Sequence, residues 1–136
     1  MPKQVLLEDV KQFIQKTSGL KIALIGETIV DEFVEVAYEG HSMKSACPVL
    51  KLKDDKKNIQ QGGTAAIAAH LKNFVKKVDL FTNTNNEIVK TRYIDHFDKK
   101  KYVEINKFDV EKFKPLKIDS TKYDAVIVAD FGHGFC

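Results

Sequence analysis

KIALIG, residues 21–26, and DAVIVADFG, residues 124–132, decide the fold. Each is a short, continuously apolar run that turns polar and glycine-rich at its carboxyl end. KIALIG reads as a buried central strand of a parallel sheet, and DAVIVADFG is the strongest strand signal in the chain. KVDLFT, 77–82, is a third short strand. Between the first and third lies TAAIAAHLKNFV, 64–75, a helical pattern whose Ala, Ile and Leu face lets a helix lie close to a sheet. Upstream, Leu6, Leu7, Val10, Phe13 and Ile14 recur at helical spacing over 4–17, and Ser18-Gly19 is expected to end that helix with a left-handed glycine.

The remaining segments alternate instead of running apolar. FVEVAYEG, 33–40, and PVLKLK, 48–53, read as half-exposed strands, with DDKKN, 54–58, as a polar turn after the second. IVKTRYID, 88–95, and KKYVEINK, 100–107, read as two strands joined by the turn HFDK. DVEKFKPL, 109–116, reads as a short helix stopped by Pro115. The expected class is α/β: a partial Rossmann-like core with a small β-sheet lid. Core segments are placed at 1–32, 60–82 and 108–136, and lid ribbons at 33–59 and 88–107.

Composition bounds the function. At 136 residues the chain fits one domain and buries roughly 65–70% of its unfolded surface. Two cysteines make no disulfide framework, so a reducing, cytoplasmic setting is expected. No apolar run reaches membrane-span length, and no membrane partner is expected. The 22 basic residues include a single arginine, Arg92, and acids sit among the lysine clusters. Nucleic-acid binders concentrate basic charge on one face, so no nucleic-acid partner is expected.

Four sites carry groups suited to chemistry. Glu27 and Asp31 follow the strand 21–26, where α/β sheets bind ligands; acids there accept hydrogen bonds from sugar hydroxyls, and equally suit a helix start. Gln61-Gly62-Gly63-Thr64 brings bare backbone to the start of a helix, as a polar-ligand loop or as tight packing. Lys90 and Arg92 lie in the ribbon 88–95, where an arginine fork suits phosphate or carboxylate, and where a solvent-facing role is equally open. Asp130, Gly132 and His133 form a glycine-rich turn whose N–H groups and imidazole face the end of the best strand. No metal site is expected: His133 and Cys136 lack a second ligand pair.

In this order the four sites resemble the PfkB/ribokinase family of carbohydrate kinases. KIALIGETIVDEFVEV is similar to its first strand and substrate loop, QGGTAAIAAHLKNFVKKVDLFT to its glycine-glycine signature, and EIVKTRYIDHFDKKKYVEIN to the ribbon that covers the sugar. YDAVIVADFGHGF is similar to the strand and turn before the nucleotide half. The KTRYID and ADFGHGF segments resemble most the heptose-7-phosphate kinase branch, the kinase part of ADP-heptose synthase.

The resemblance implies transfer of the ATP γ-phosphoryl group to a sugar hydroxyl, with Mg, a sugar-phosphate substrate and homodimers formed through the lid ribbons. It implies that Asp31 and the Gly62-Gly63 backbone hold sugar hydroxyls, with Glu27 and Lys90 beside them. Arg92 would approach a substrate phosphate or shape the lid. Asp130, Gly132 and His133 would line the nucleotide crevice. Three departures accompany it. Glu27 stands where relatives have aspartate, alanines 65, 66, 68 and 69 occupy a stretch that usually carries an asparagine, and only 83–89 separate two strands that relatives join by a further helix and strand. The relatives' G-A-G-D motif, with its catalytic-base aspartate, has no counterpart in this sequence. The expectation is therefore the amino-terminal portion of a sugar kinase, with no turnover by this chain alone. The alternative is a non-catalytic dimerising or regulatory module.

Overall fold

The computed structural model describes residues 6–83, 88–108 and 117–135. Its elements are α1 (Leu7–Thr17), β1 (Lys21–Gly26), β2 (Thr28–His41), β3 (Pro48–Gly63), α2 (Thr64–Leu71), β4 (Lys77–Phe81), β5 (Ile88–Asp95), β6 (Lys101–Phe108), a 3₁₀ turn at Ser120–Lys122, and β7 (Ala125–Ala129). The expected helix over 109–116 lies outside the described residues. The chain is α/β, with a parallel sheet ordered β4-β1-β7 and a mixed sheet ordered β3-β2-β5-β6.

Both apolar runs join the parallel sheet, with β4 as its third strand, and β1 has the expected central place. β1 is its middle strand, pairing Leu24 with Leu80 on one side and with Ile127 on the other. Ile22, Ala23 and Leu24 are buried. β7 is an edge among the described residues, and its Val126 and Val128 remain exposed. The connection into β7 is fixed by Asp124, whose carboxylate accepts from the Lys21 N–H at 2.7 Å while its own N–H donates to the Lys21 carbonyl at 2.9 Å.

The alternating segments form the second sheet, with three corrections. β2 is longer than the FVEVAYEG stretch and begins at Thr28, directly after Glu27. β3 does not end at the polar DDKKN segment but runs on to Gly63. There the partners step from Val36–Leu52 to Val34–Lys57, so the extra residues of β3 loop out as a bulge within one strand. Asp54 Oδ1 caps that bulge by accepting from the Lys56 N–H at 2.8 Å. The double glycine is therefore the end of a strand, not a loop: Gly62 pairs with Ile29 and Gly63 with Thr28.

α1 ends without a left-handed Gly19. Ser18 stays right-handed, and its N–H and hydroxyl satisfy the carbonyls of Ile14 and Gln15. Its amphipathic face (Leu7, Val10, Phe13, Ile14) is exposed among the described residues. No helix among the described residues is long and apolar enough to cross a membrane.

Candidate functional site

The sequence-predicted residues gather into two adjoining clusters, one at the carboxyl end of β1 and one on a face of the mixed sheet. Strand alternation sorts that sheet. Asp31 and Phe33 of β2 share a face with Gln60 and Asn58 of β3, Lys90 and Arg92 of β5, and Asn106 and Glu104 of β6. The opposite face carries the apolar Val34, Val36, Tyr93 and Val103, with Leu52 of β3.

Glu27 organises the first cluster. It is fully buried, and its carboxylate accepts backbone N–H bonds from Phe131 at 2.9 Å, His133 at 2.8 Å and Phe135 at 3.3 Å. His133 Nδ1 lies 3.1 Å from the same carboxylate, and its ring packs against Phe108. The glycine-rich turn is thus wrapped around a buried acid. Gly132 and Gly134 supply its positive-φ corners. Asp130 caps the turn from outside, accepting from the Gly132 N–H at 2.8 Å. The Glu27 carbonyl accepts from both the N–H and the hydroxyl of Thr64, at 2.8 and 2.9 Å, which joins α2 to the same point. Thr28 then ties β2 to the end of β4, its N–H donating to Thr82 Oγ1 and Asn83 Oδ1.

Arg92 organises the second cluster. Its Nη1 donates to Asp31 Oδ1 and its Nε to Glu104 Oε2 at 3.0 Å, while the guanidinium lies 5.4 Å above the Phe33 ring. Burial works against its charge, yet Asp31 and then Glu104 outweigh that and raise its pKa. The three side chains are only 20–24% exposed, so the group keeps its geometry where surface pairs would not. Lys101 also donates to Glu104, at 2.9 Å. Lys90 lies opposite Asp31 in the β2–β5 register.

The glycines join the two clusters. A methyl on Gly62 would stand 2.5 Å from Asp31 Oδ2, so the bare backbone is what lets that carboxylate lie against β3. Gly63 has φ +58°, and a Cβ there would run into the Glu27 carbonyl oxygen. Gly63→Ala is expected to lower unfolding stability by about 1–2 kcal/mol or more, read by urea denaturation, because backbone cannot yield. Gly62→Ala is expected to leave the melting temperature nearly unchanged, because only the Asp31 carboxylate must move.

The carboxylates of the mixed sheet set an acid limit. The hydrogen bond from Lys101, aided by the charges of Lys101 and Arg92, holds Glu104 at about 2, well below its ordinary 4.5. Glu32, held by Lys57 and Thr91, and Glu35, held by Lys99 and His96, are also lowered. A depressed folded-state pKa contributes stability that is full above about pH 4.5 and disappears as pH falls toward 2. Urea midpoints should therefore drop between pH 5 and pH 3, and Lys101→Ala should shrink that drop.

Two partners escaped notice in the sequence. Glu104 lies opposite Arg92 in the β5–β6 register, and the hairpin over 88–107 carried that signal. Asn83, which bonds Thr28 through both its oxygen and its nitrogen, carried none.

In the turn after β7, the N–H groups of Phe131, His133 and Phe135 are taken by Glu27 and that of Gly132 by Asp130, so these four do not cradle the phosphates of the ATP that the resemblance implies. Among the described residues no three His, Cys, Asp or Glu side chains converge to hold a metal ion.

No family model matches this chain, and no curated protein matches it. Among solved structures it is similar to a carbohydrate kinase from Agrobacterium tumefaciens, with 13% identity and a TM-score of 0.44 over 80% of this chain and 45% of that one. The chain thus spans less than half the length of that protein.

Proposed function

We propose that this chain is the sugar-binding portion of a carbohydrate-kinase-like protein of the PfkB/ribokinase type, nearest the heptose-7-phosphate kinase branch. In the family, ATP with Mg donates a phosphoryl group to a sugar hydroxyl. The observation that carries the reading is Asp31: Arg92 fixes one oxygen, and the other lies against the bare backbone of Gly62. A carboxylate so held accepts hydrogen bonds from hydroxyls without paying to order itself. Gln60 and Asn106 extend the same polar face. Glu27, Asp130, Gly132 and His133 shape the adjoining turn and have no assigned chemical step. No residue of this chain is assigned as the catalytic base.

The experiment is a thermal-shift series with pentose 5-, hexose 6- and heptose 7-phosphates, and with ATP. A ligand at 100 times its Kd stabilises the folded state by about 2.7 kcal/mol, a shift of several degrees. At least one sugar phosphate should give that shift, and Asp31→Asn should abolish it. No shift with any sugar phosphate would overturn the reading.

A second reading, a dimerising module without chemistry, is favoured by the far face of the lid. Val36, Leu50, Leu52, Tyr93 and Val103 line an apolar groove of about 260 Å³ there, and Ile59 and Ile105 stand exposed on the same face. In either reading, two copies would pair their lid ribbons through this face. Sedimentation should show a dimer that Leu52→Lys converts to monomer; a native monomer at high concentration would contradict it.

A further inference from the structure

We infer that Asn58 and Gln60 choose among sugars: their side-chain amides read hydroxyls of the sugar body as it lies in a cleft over Phe33 and Ile94. This rests on the sugar-binding reading above and names the residues that set its specificity.

The cleft holds about 410 Å³, within the size range of small-ligand sites. It continues directly from Asp31. Phe33 and Glu35 follow Asp31 on the same face of β2, Gln60 and Asn58 pair with Asp31 and Phe33, and Ile94 of β5 pairs with Glu35. At about 3.3 Å per residue the run from Asp31 to Glu35 spans roughly 13 Å, so a sugar anchored at Asp31 extends over the cleft. Phe33 and Ile94 give the cleft an apolar floor, which suits the C–H side of a sugar and leaves its hydroxyls to the flanks.

Most of the polar lining is already engaged. Glu35 pairs with Lys99 and His96, Lys57 donates to Glu32 on the other face, and Asp54 accepts from the Lys56 N–H. The charges also balance, Glu35 against Lys99, Glu32 against Lys57 and Asp54 against Lys56, so the cleft has no surplus charge with which to draw an anion. It suits an uncharged, hydroxyl-bearing part of a ligand.

The side-chain amides of Asn58 and Gln60 remain. Among the described residues they have no hydrogen-bond partner. A carboxamide both donates and accepts, as a hydroxyl does. Two of them on one face of β3, about 7 Å apart along the strand, can tell one arrangement of hydroxyls from another.

The test is calorimetry with whichever sugar phosphate of the thermal-shift panel binds tightest, beside its monodeoxy analogues. In the native chain at least one deoxy analogue should bind about two- to tenfold more weakly than the parent, the scale of one hydrogen bond. Asn58→Ala/Gln60→Ala should weaken the parent by about that factor or more and bring the analogue level with it. Gln61→Ala removes an amide from the other face of the same strand and should leave the discrimination native. The same deoxy penalty in the Asn58/Gln60 variant as in the native chain, or its loss in Gln61→Ala, would overturn this inference while the sugar-binding reading stands. No binding by the native chain to any of the panel would overturn both.

Discussion

Glu27→Asp should release the glycine-rich turn. The substitution keeps the charge and removes one methylene, so the carboxylate no longer reaches the N–H groups of Phe131 and His133, now 2.9 and 2.8 Å away. Hydrogen bonds to a charged group contribute about 1.5–3 kcal/mol each. Bonds that share one carboxylate do not add independently, so the expected loss is about 3–5 kcal/mol. Amide exchange at Phe131 and His133 should accelerate by about 100-fold or more. Glu27→Gln keeps the reach and loses the charge, and should fall between Glu27→Asp and the native chain. Unchanged exchange in Glu27→Asp would show that the turn holds itself.

On the sugar-binding proposal, Arg92→Ala should weaken that binding most among substitutions on the Asp31 face. Without the guanidinium, Asp31 and Glu104 lose the charge between them, and Asp31 turns away from Gly62 toward water. The expected cost is about tenfold or more in affinity, the scale of one ordered charge-assisted acceptor. Arg92→Lys should not rescue it, because an ammonium cannot span both carboxylates in a planar fork. Glu104→Gln should cost less, since Asp31 keeps its partner. If Arg92→Lys bound sugar as well as the native chain, positive charge alone would be what the site requires.

Much of this was legible in the sequence for a physical reason. The run 21–26 is apolar on both faces and is the buried middle strand, while 77–82 and 124–132 form the parallel strands on either side of it with part of their length exposed. The hairpin over 88–107 was equally plain, since alternation and a polar turn specify it locally. The bulge in β3 was not legible, because a polar cluster at a strand end and one looped out of a strand look alike until the partner strand is known. The role of Glu27 was hidden for the same reason. Its partners are backbone N–H groups more than 100 positions away, and backbone carries no sequence signal. Asp31 and Arg92 were each singled out, but as separate ligand contacts; their pairing depends on β2 and β5 lying side by side in parallel, a long-range fact.

The most direct measurement is a ¹H–¹⁵N map of the native chain titrated with the sugar phosphate that stabilises it most. The account predicts that the amides of Asp31, Phe33, Asn58, Gln60, Gly62 and Arg92 move together and saturate with one Kd. Shifts confined to the opposite face, at Val34, Leu52 and Val103, or no saturable shifts at all, would contradict it.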